Sequence, residues 1–129
     1  MTNTRRQQNR PTILVIDDDE TVLEAVTDIL ALENIAVLSA ASGEAGITLY
    51  EARQQELQLV LLDLSMPGMS GEETLQALQH LNPDVSVILT SGYDEKGAID
   101  HLADRIVDFL AKPYHFDELV AIVKRHLVS

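Results

Sequence analysis

From Thr12 onward, short unbroken apolar runs alternate with longer segments in which apolar residues return every three or four positions. An unbroken run suits a strand buried on both faces, and the longer spacing suits a helix with one buried stripe. Thr12–Ile16 is then a first strand, and "DETVLEAVTDILALE" a helix whose stripe is Val22/Leu23, Val26 and Ile29/Leu30. Ala36–Ala40 is a second strand, and Gly43–Gln54 a second helix with Ala45, Leu49 and Ala52 turned inward. Leu59–Asp63 is the third strand, and Glu72–Leu81, with Leu75 and Leu78 inward, the third helix, stopped by Asn82-Pro83. Val85–Ser91, a weaker helix near Glu95–Ala103, the strand Val107–Ala111 and the helix Phe116–Leu127 complete the series. Leu119, Ile122, Val123 and Leu127 form the stripe of the last helix.

Each crossover is long enough for a right-handed βαβ unit, so the pattern predicts an α/β fold: a five-stranded parallel sheet, doubly wound, with five helices on both faces. The chain length of 129 residues suits one domain over 12–129, preceded by a polar arm or linker over 1–11. With no cysteine, disulfides and thiolate metal sites are excluded, and a cytoplasmic setting is expected. No apolar run approaches the ~18 residues that a membrane-spanning helix needs, so no direct membrane insertion is expected. The formal charge is −12, from nine basic and 21 acidic residues, and three of the basic ones (Arg5, Arg6, Arg10) lie in the arm. A surface this acidic repels phosphate backbones, so no nucleic-acid partner is expected.

The chemistry concentrates at strand ends. All strands of a parallel sheet point the same way, so residues that close them share one edge of the molecule, where open α/β sheets form ligand crevices. "ILVIDDDE" closes the first strand with Asp17, Asp18 and Asp19; "LVLLD" closes the third with Asp63; "ILTSG" closes the fourth with Thr90 and Ser91; "FLAKPY" closes the fifth with Lys112. Asp19 alone is accounted for as a helix N-cap. The set is not, because neighbouring carboxylates in a partly buried crevice repel one another unless a cation neutralises them. A hard site of oxygen donors suits Mg²⁺. Asp63 offers a metal ligand and a nucleophile toward phosphorus, Lys112 a mobile charge for phosphoryl oxygens, and a strand-end hydroxyl a hydrogen bond to them.

In this order, "VIDDDE", "LLDLSMPG", "LTSG" and "AKPY" resemble the motifs of a response regulator receiver domain, the chemotaxis-regulator-like module of two-component signalling, over about residues 12–127. That resemblance implies a flavodoxin-like fold, Asp63 as phosphoacceptor, Asp18 as a direct Mg²⁺ ligand, Asp17 acting largely through water and Ser65 lending its backbone carbonyl. It also implies that Ser91 is the switch hydroxyl, Lys112 the phosphate-binding lysine followed by a cis Pro113, and Phe109 the aromatic switch. Thr90 competes with Ser91 for the hydroxyl role, and Phe109 lacks a hydroxyl of its own. Tyr93 and Tyr114 are further aromatics without an assigned role.

The expected function is therefore a signalling receiver rather than an enzyme, one that assists its own phosphorylation and the hydrolysis of its acyl phosphate. Its phosphodonor would be a histidine kinase or histidine phosphotransfer domain. Its downstream protein partner would read the face made by the fourth helix, fifth strand and fifth helix. "GEETLQAL" and "LTSGYDE" are similar to receivers from hybrid histidine kinases. A Mg²⁺-dependent phosphohydrolase is the competing enzyme reading, disfavoured because Leu64 and Ser65 offer no second acid and no insertion builds a lid. A degenerate receiver that only binds is disfavoured by the intact Asp18, Asp63 and Lys112.

Overall fold

The apolar runs become the centre of one parallel sheet. The computed structural model describes residues 10–92 and 96–127, so most of the arm, Tyr93 and the start of the expected fourth helix lie outside the described residues. Strands β1 (Thr12–Ile16), β2 (Ala36–Ala40), β3 (Leu57–Asp63), β4 (Val87–Ser91) and β5 (Asp108–Ala111) stand in the order β2-β1-β3-β4-β5. All four pairings are parallel. The helices are α1 (Glu20–Leu32), α2 (Gly43–Arg53), α3 (Gly71–Leu81), α4 (Lys96–Leu102) and α5 (Phe116–His126).

Alternation along each strand divides the core in two. Ile13, Val15, Leu59, Leu61, Ile88 and Leu110 meet α1 and α5 on one face. Leu14, Ile16, Val60, Leu62, Val87 and Leu89 meet α2, α3 and α4 on the other. β1, β3 and β4 are apolar on both sides because both sides are covered, whereas the edge strands β2 and β5 are only partly buried.

Strand ends shift from the expected positions by one or two residues for local reasons. β3 begins at Leu57, and because Thr12 pairs with Leu57 while Ile13 pairs with Leu59, Gln58 is an extra residue in a bulge. β4 begins at Val87 because Val85 N–H is spent on Asn82 carbonyl in the turn before it. α4 ends at Leu102, and residues 103–105 form one tighter 3₁₀ turn.

The inward stripe of α2 is a correction. Ala45 and Ala52 are exposed, Leu49 is half-buried, and the buried residues are Gly43, Gly46 and Tyr50. The helix lies so close to the sheet that a Cβ on Gly46 would stand 2.4 Å from Ile16 Cδ1, a proximity that apolar spacing does not reveal. Tyr50 closes the other end, its hydroxyl accepting from Asn82 Nδ2 at 2.9 Å.

The loop that carries Asp63 into α3 is tied down by backbone. Gly71 N–H donates to Leu64 carbonyl at 3.3 Å, and Ser70 caps α3 in a reciprocal pair with Glu73. A Cβ on Gly71 would lie 2.5 Å from Leu64 Cα and 2.7 Å from its carbonyl oxygen, neither of which has side-chain freedom to yield. Gly71→Ala should therefore cost about 2–3 kcal/mol, read as a lower urea midpoint at unchanged slope. A loss under about 0.5 kcal/mol would show that the loop gives way instead.

Candidate functional site

The strand order places a topological switch point between β1 and β3: the chain leaves β1 toward β2 on one side and leaves β3 toward β4 on the other. A crevice opens at such a point, at the strands' carboxyl ends. Asp17 and Asp63 are the residues that reach it. Asp17 lies one residue past β1, its N–H held by Ala40 carbonyl at 3.0 Å. Asp63 ends β3 opposite Thr90, and Leu64 N–H continues the ladder to Thr90 carbonyl at 2.8 Å.

Asp17, Asp18 and Asp63 each bring a carboxylate oxygen to within 4.8 Å of the others. Asp17 and Asp63 are buried and Asp18 is exposed. Lys112, one residue past β5 and held by Ser91 carbonyl, sends its ammonium to Asp17 Oδ2 at 2.8 Å and Asp63 Oδ2 at 3.3 Å. Asp63 Oδ1 accepts from Ser65 N–H at 3.1 Å, and Asp17 Oδ1 from Asp19 N–H at 2.9 Å. Asp19 is the N-cap of α1, accepting from Thr21 and Val22 N–H. The Lys112-Pro113 peptide is cis.

Burial pushes the Asp63 carboxyl up to about 6; Ser65 N–H opposes the rise, the Asp17 charge adds to it, and Lys112 opposes it. Burial works against the Lys112 charge, but the hydrogen bond and attraction of Asp17, with those of Asp63, outweigh it and hold the ammonium above its ordinary value. Three carboxylates facing one ammonium leave the described cluster net negative, and every donor is a hard oxygen. The residues present fit a hard divalent cation of the Mg²⁺ kind.

Ser91 and Thr90 are both buried, on opposite sides of the sheet. Thr90 follows Ile88 toward the α1 and α5 side, in the row of Asp63, while Ser91 follows Leu89 toward the side on which Phe109 packs. Among the described residues Ser91 Oγ is buried without a hydrogen-bond partner, which costs stability unless something else employs it. Ser65 lies beside the cluster and is exposed; Phe109 pairs with Leu89 and is half-buried.

Two features escaped the sequence. Asp17 is the nearest partner of Lys112, a contact between residues 95 positions apart that strand order alone creates. Beside the cluster, Val22 and Ala25 of α1 and Pro113, Tyr114 and Phe116 line an apolar cleft in which Phe116 is exposed. The only advance signal was Phe116 standing at the polar end of its helix.

Comparison with known proteins gives the following. The profile of the response regulator receiver domain matches residues 13–124. Part of the sensor kinase CckA of Brucella abortus is 32% identical over 117 residues, covering 90% of this chain and 12% of that protein. The probable transcriptional regulatory protein TcrX of Mycobacterium tuberculosis is 33% identical over 124 residues, covering 90% of this chain and 50% of that protein. A response regulator receiver domain protein from Clostridium thermocellum superposes with a TM-score of 0.83 at 26% identity, covering 90% of this chain and 93% of that one. The chain thus spans half or less of the length of these two curated relatives. Among the described residues no helix is long and apolar enough to cross a membrane.

The raised Asp63 pKa makes a stability prediction for the metal-free protein. Its folded value, about 6, lies above the ordinary 3.8, so protonation favours the folded state. The penalty for ionising Asp63 is absent below about pH 4, grows between pH 4 and 6, and is complete above that. With chelator present, Asp63→Asn should match the wild type near pH 4 and exceed it by up to ~3 kcal/mol above pH 6 in urea melts. A difference that does not change with pH would contradict the buried, like-charged surroundings as its cause.

Proposed function

This chain belongs to the response regulator receiver domain family, and from that premise we propose that Asp63 accepts a phosphoryl group from the phosphohistidine of a histidine kinase or histidine phosphotransfer domain. The observation that carries the reading is the buried Asp63 carboxylate, held at the switch point between Lys112 and two further acids. An Asp63 oxygen forms the new P–O bond as the donor's P–N bond breaks, and the leaving imidazole nitrogen keeps the bonding pair.

Asp63 is oriented for attack from both sides. Ser65 N–H fixes one carboxylate oxygen and Lys112 approaches the other. Asp17 keeps the Lys112 ammonium over the crevice, so this charge meets an equatorial phosphoryl oxygen as it arrives without waiting for a side chain to be recruited. Asp17, Asp18, Asp63 and the Ser65 carbonyl would hold Mg²⁺, which when bound supplies charge neutralisation for the phosphoryl oxygens.

Ser91 is the switch hydroxyl in this reading. Its Oγ, without a hydrogen-bond partner among the described residues, gains an acceptor if it turns past the strand end toward the phosphoryl oxygens, and because Ser91 and Phe109 lie on the same face of the sheet that movement changes the space available to the ring. Thr90 fills the opposite face as a packing residue. The surface formed by α4, β5 and α5 changes shape accordingly and is read by a downstream protein. Water attack on phosphorus then breaks the acyl P–O bond, regenerates Asp63 and resets the surface. Relatives named as a sensor kinase and as a transcriptional regulatory protein both contain a matching stretch, so the module serves in chains of either kind.

The test is acetyl phosphate with and without Mg²⁺, read by intact mass. The wild type should take up one phosphoryl group only with Mg²⁺, and Asp63→Asn should take up none; stoichiometric uptake by that variant would end the assignment. Ser91→Ala should still be phosphorylated but lose a charge-assisted hydrogen bond worth about 1.5–3 kcal/mol in the phosphorylated state. Beryllofluoride should then perturb the amides around Phe109 less in Ser91→Ala than in Thr90→Ala; the reverse order would move the switch to Thr90.

A further inference from the structure

A second carboxylate of β5 is engaged as fully as the first site's acids, yet at the opposite end of the strand. Asp108 opens β5 and directs its side chain to the α5 side of the sheet, where Oδ2 meets His126 Nε2 at 2.8 Å and Arg125 Nη1 at 3.2 Å. Its Oδ1 accepts from the N–H of Phe109 at 2.8 Å. One carboxylate therefore joins the backbone of the aromatic switch residue to the last turn of α5. Burial opposes the Asp108 charge, but hydrogen bonds from His126 and Phe109 N–H and the attraction of His126 and Arg125 outweigh it and hold the carboxyl below its usual range.

The placement matters because the two ends of this link lie on different faces. Phe109 packs with the α2, α3 and α4 core, and α5 packs with the other. Residues on opposite faces of a strand do not touch, so a displacement of the Phe109 ring has no side-chain route to α5. It has a backbone route, since the Phe109 N–H and the α5 side chains share one acceptor. The far side of the same turn is tethered as well, where Lys124 pairs with Glu33 at the end of α1. Lys124 and Arg125 are the only adjacent basic pair after the N-terminal arm in a chain of net charge −12.

We infer that Asp108 is a positioning residue of the switch: it carries movement of Phe109 across the sheet to the last turn of α5, whose basic side chains are thereby presented differently in the phosphorylated state. The inference rests on the phosphoacceptor and switch reading given above. In the resting state Arg125 and His126 are held against Asp108. When the Phe109 backbone shifts, the carboxylate shifts with it, and the positive end of α5 changes its position in an otherwise acidic surface. Asp108 lies outside the phosphoryl-transfer machinery, so its loss leaves phosphate uptake intact.

The experiment uses beryllofluoride with Mg²⁺ and amide chemical shifts of the whole chain, alongside the acetyl phosphate uptake rate. In the wild type, amides at Ser91, at Phe109 and at Arg125, His126 and Leu127 should all move. Asp108→Asn keeps an oxygen for the Phe109 N–H and removes the charge that holds α5. Its shifts at residues 125–127 should fall to about a third or less, with those at Ser91 and the uptake rate unchanged. Arg125→Gln combined with His126→Gln removes the other half of the link and should give the same pattern at Leu127; it decides the matter if Asp108→Asn does not fold. Full-sized shifts at Leu127 in the folded variant, or a wild-type α5 that does not respond while Ser91 and Phe109 do, would overturn the inference. Absence of any shift at Ser91 in the wild type would instead overturn the reading on which it rests.

Discussion

The structure is organised around a charge that has to be carried. Three carboxylates gather at one point of a parallel sheet, two of them buried, and the counter-charge within reach is the Lys112 ammonium. Bringing like charges out of water is unfavourable, and the cost is visible in the elevated Asp63 pKa. The rest of the molecule is arranged to tolerate it. Ladder hydrogen bonds fix Asp17 and Lys112 directly and bracket Asp63, the β3–α3 loop is pinned back on Leu64, and large apolar side chains fill both faces beneath the cluster. Such a core stabilises the fold enough to keep this like-charged edge in place.

The two halves of the core serve that edge differently. On the α2 side, Gly46 brings the helix close to the sheet, with Ile16 filling the space that a side chain there would need, and Gly43 brings it close to Thr74 of α3 and to Met69. On the other, α1 and α5 leave a shallow apolar cleft that runs up to Lys112 and Tyr114. Burial pushes the Tyr114 hydroxyl pKa up, with Lys112 opposing and the two buried acids adding to the rise. The crevice is thus walled by rigid, close-packed structure on one side and by an accessible apolar surface on the other. Asp18, the exposed member of the cluster, is the acid that solvent reaches first.

Much of this was legible beforehand because the informative residues break local rules. Strands buried on both faces declare themselves as unbroken apolar runs, and an acid ending such a run has no solubility reason to be there, which singled out Asp63, while Lys112 stood out only through its place in the ordered set of strand-end motifs. Where a property depends on distance between elements, the linear pattern is silent. Hydrophobic spacing chose Ala45 and Ala52 for the inner face of α2, because it scores glycine as featureless when closeness is what Gly46 provides. The Asp17–Lys112 pair and the clasp on Asp108 join residues of different elements, and nothing in the neighbouring residues announces them; the cleft at Phe116 is hinted at only by an apolar ring at the polar end of its helix. Ser91 sits between these cases: its position was readable, while the lack of a partner for its hydroxyl among the described residues is a property of the packed core alone.

The separation of Asp17 from Lys112 by 95 positions also has a temporal side. Chains are made from the amino end, so β1 and β3, with all three acids, leave the ribosome well before β5. Until residue 112 emerges, the acids lack the ammonium that contacts both Asp17 and Asp63 in the folded chain, and their mutual repulsion opposes closure of the switch-point crevice. The Asp63 carboxylate therefore meets its ammonium partner only once β5 has been made, and the charge balance of the cluster is completed together with the sheet. A cluster divided between the first strand and the last receives its counter-charge only when the chain is made as far as residue 112.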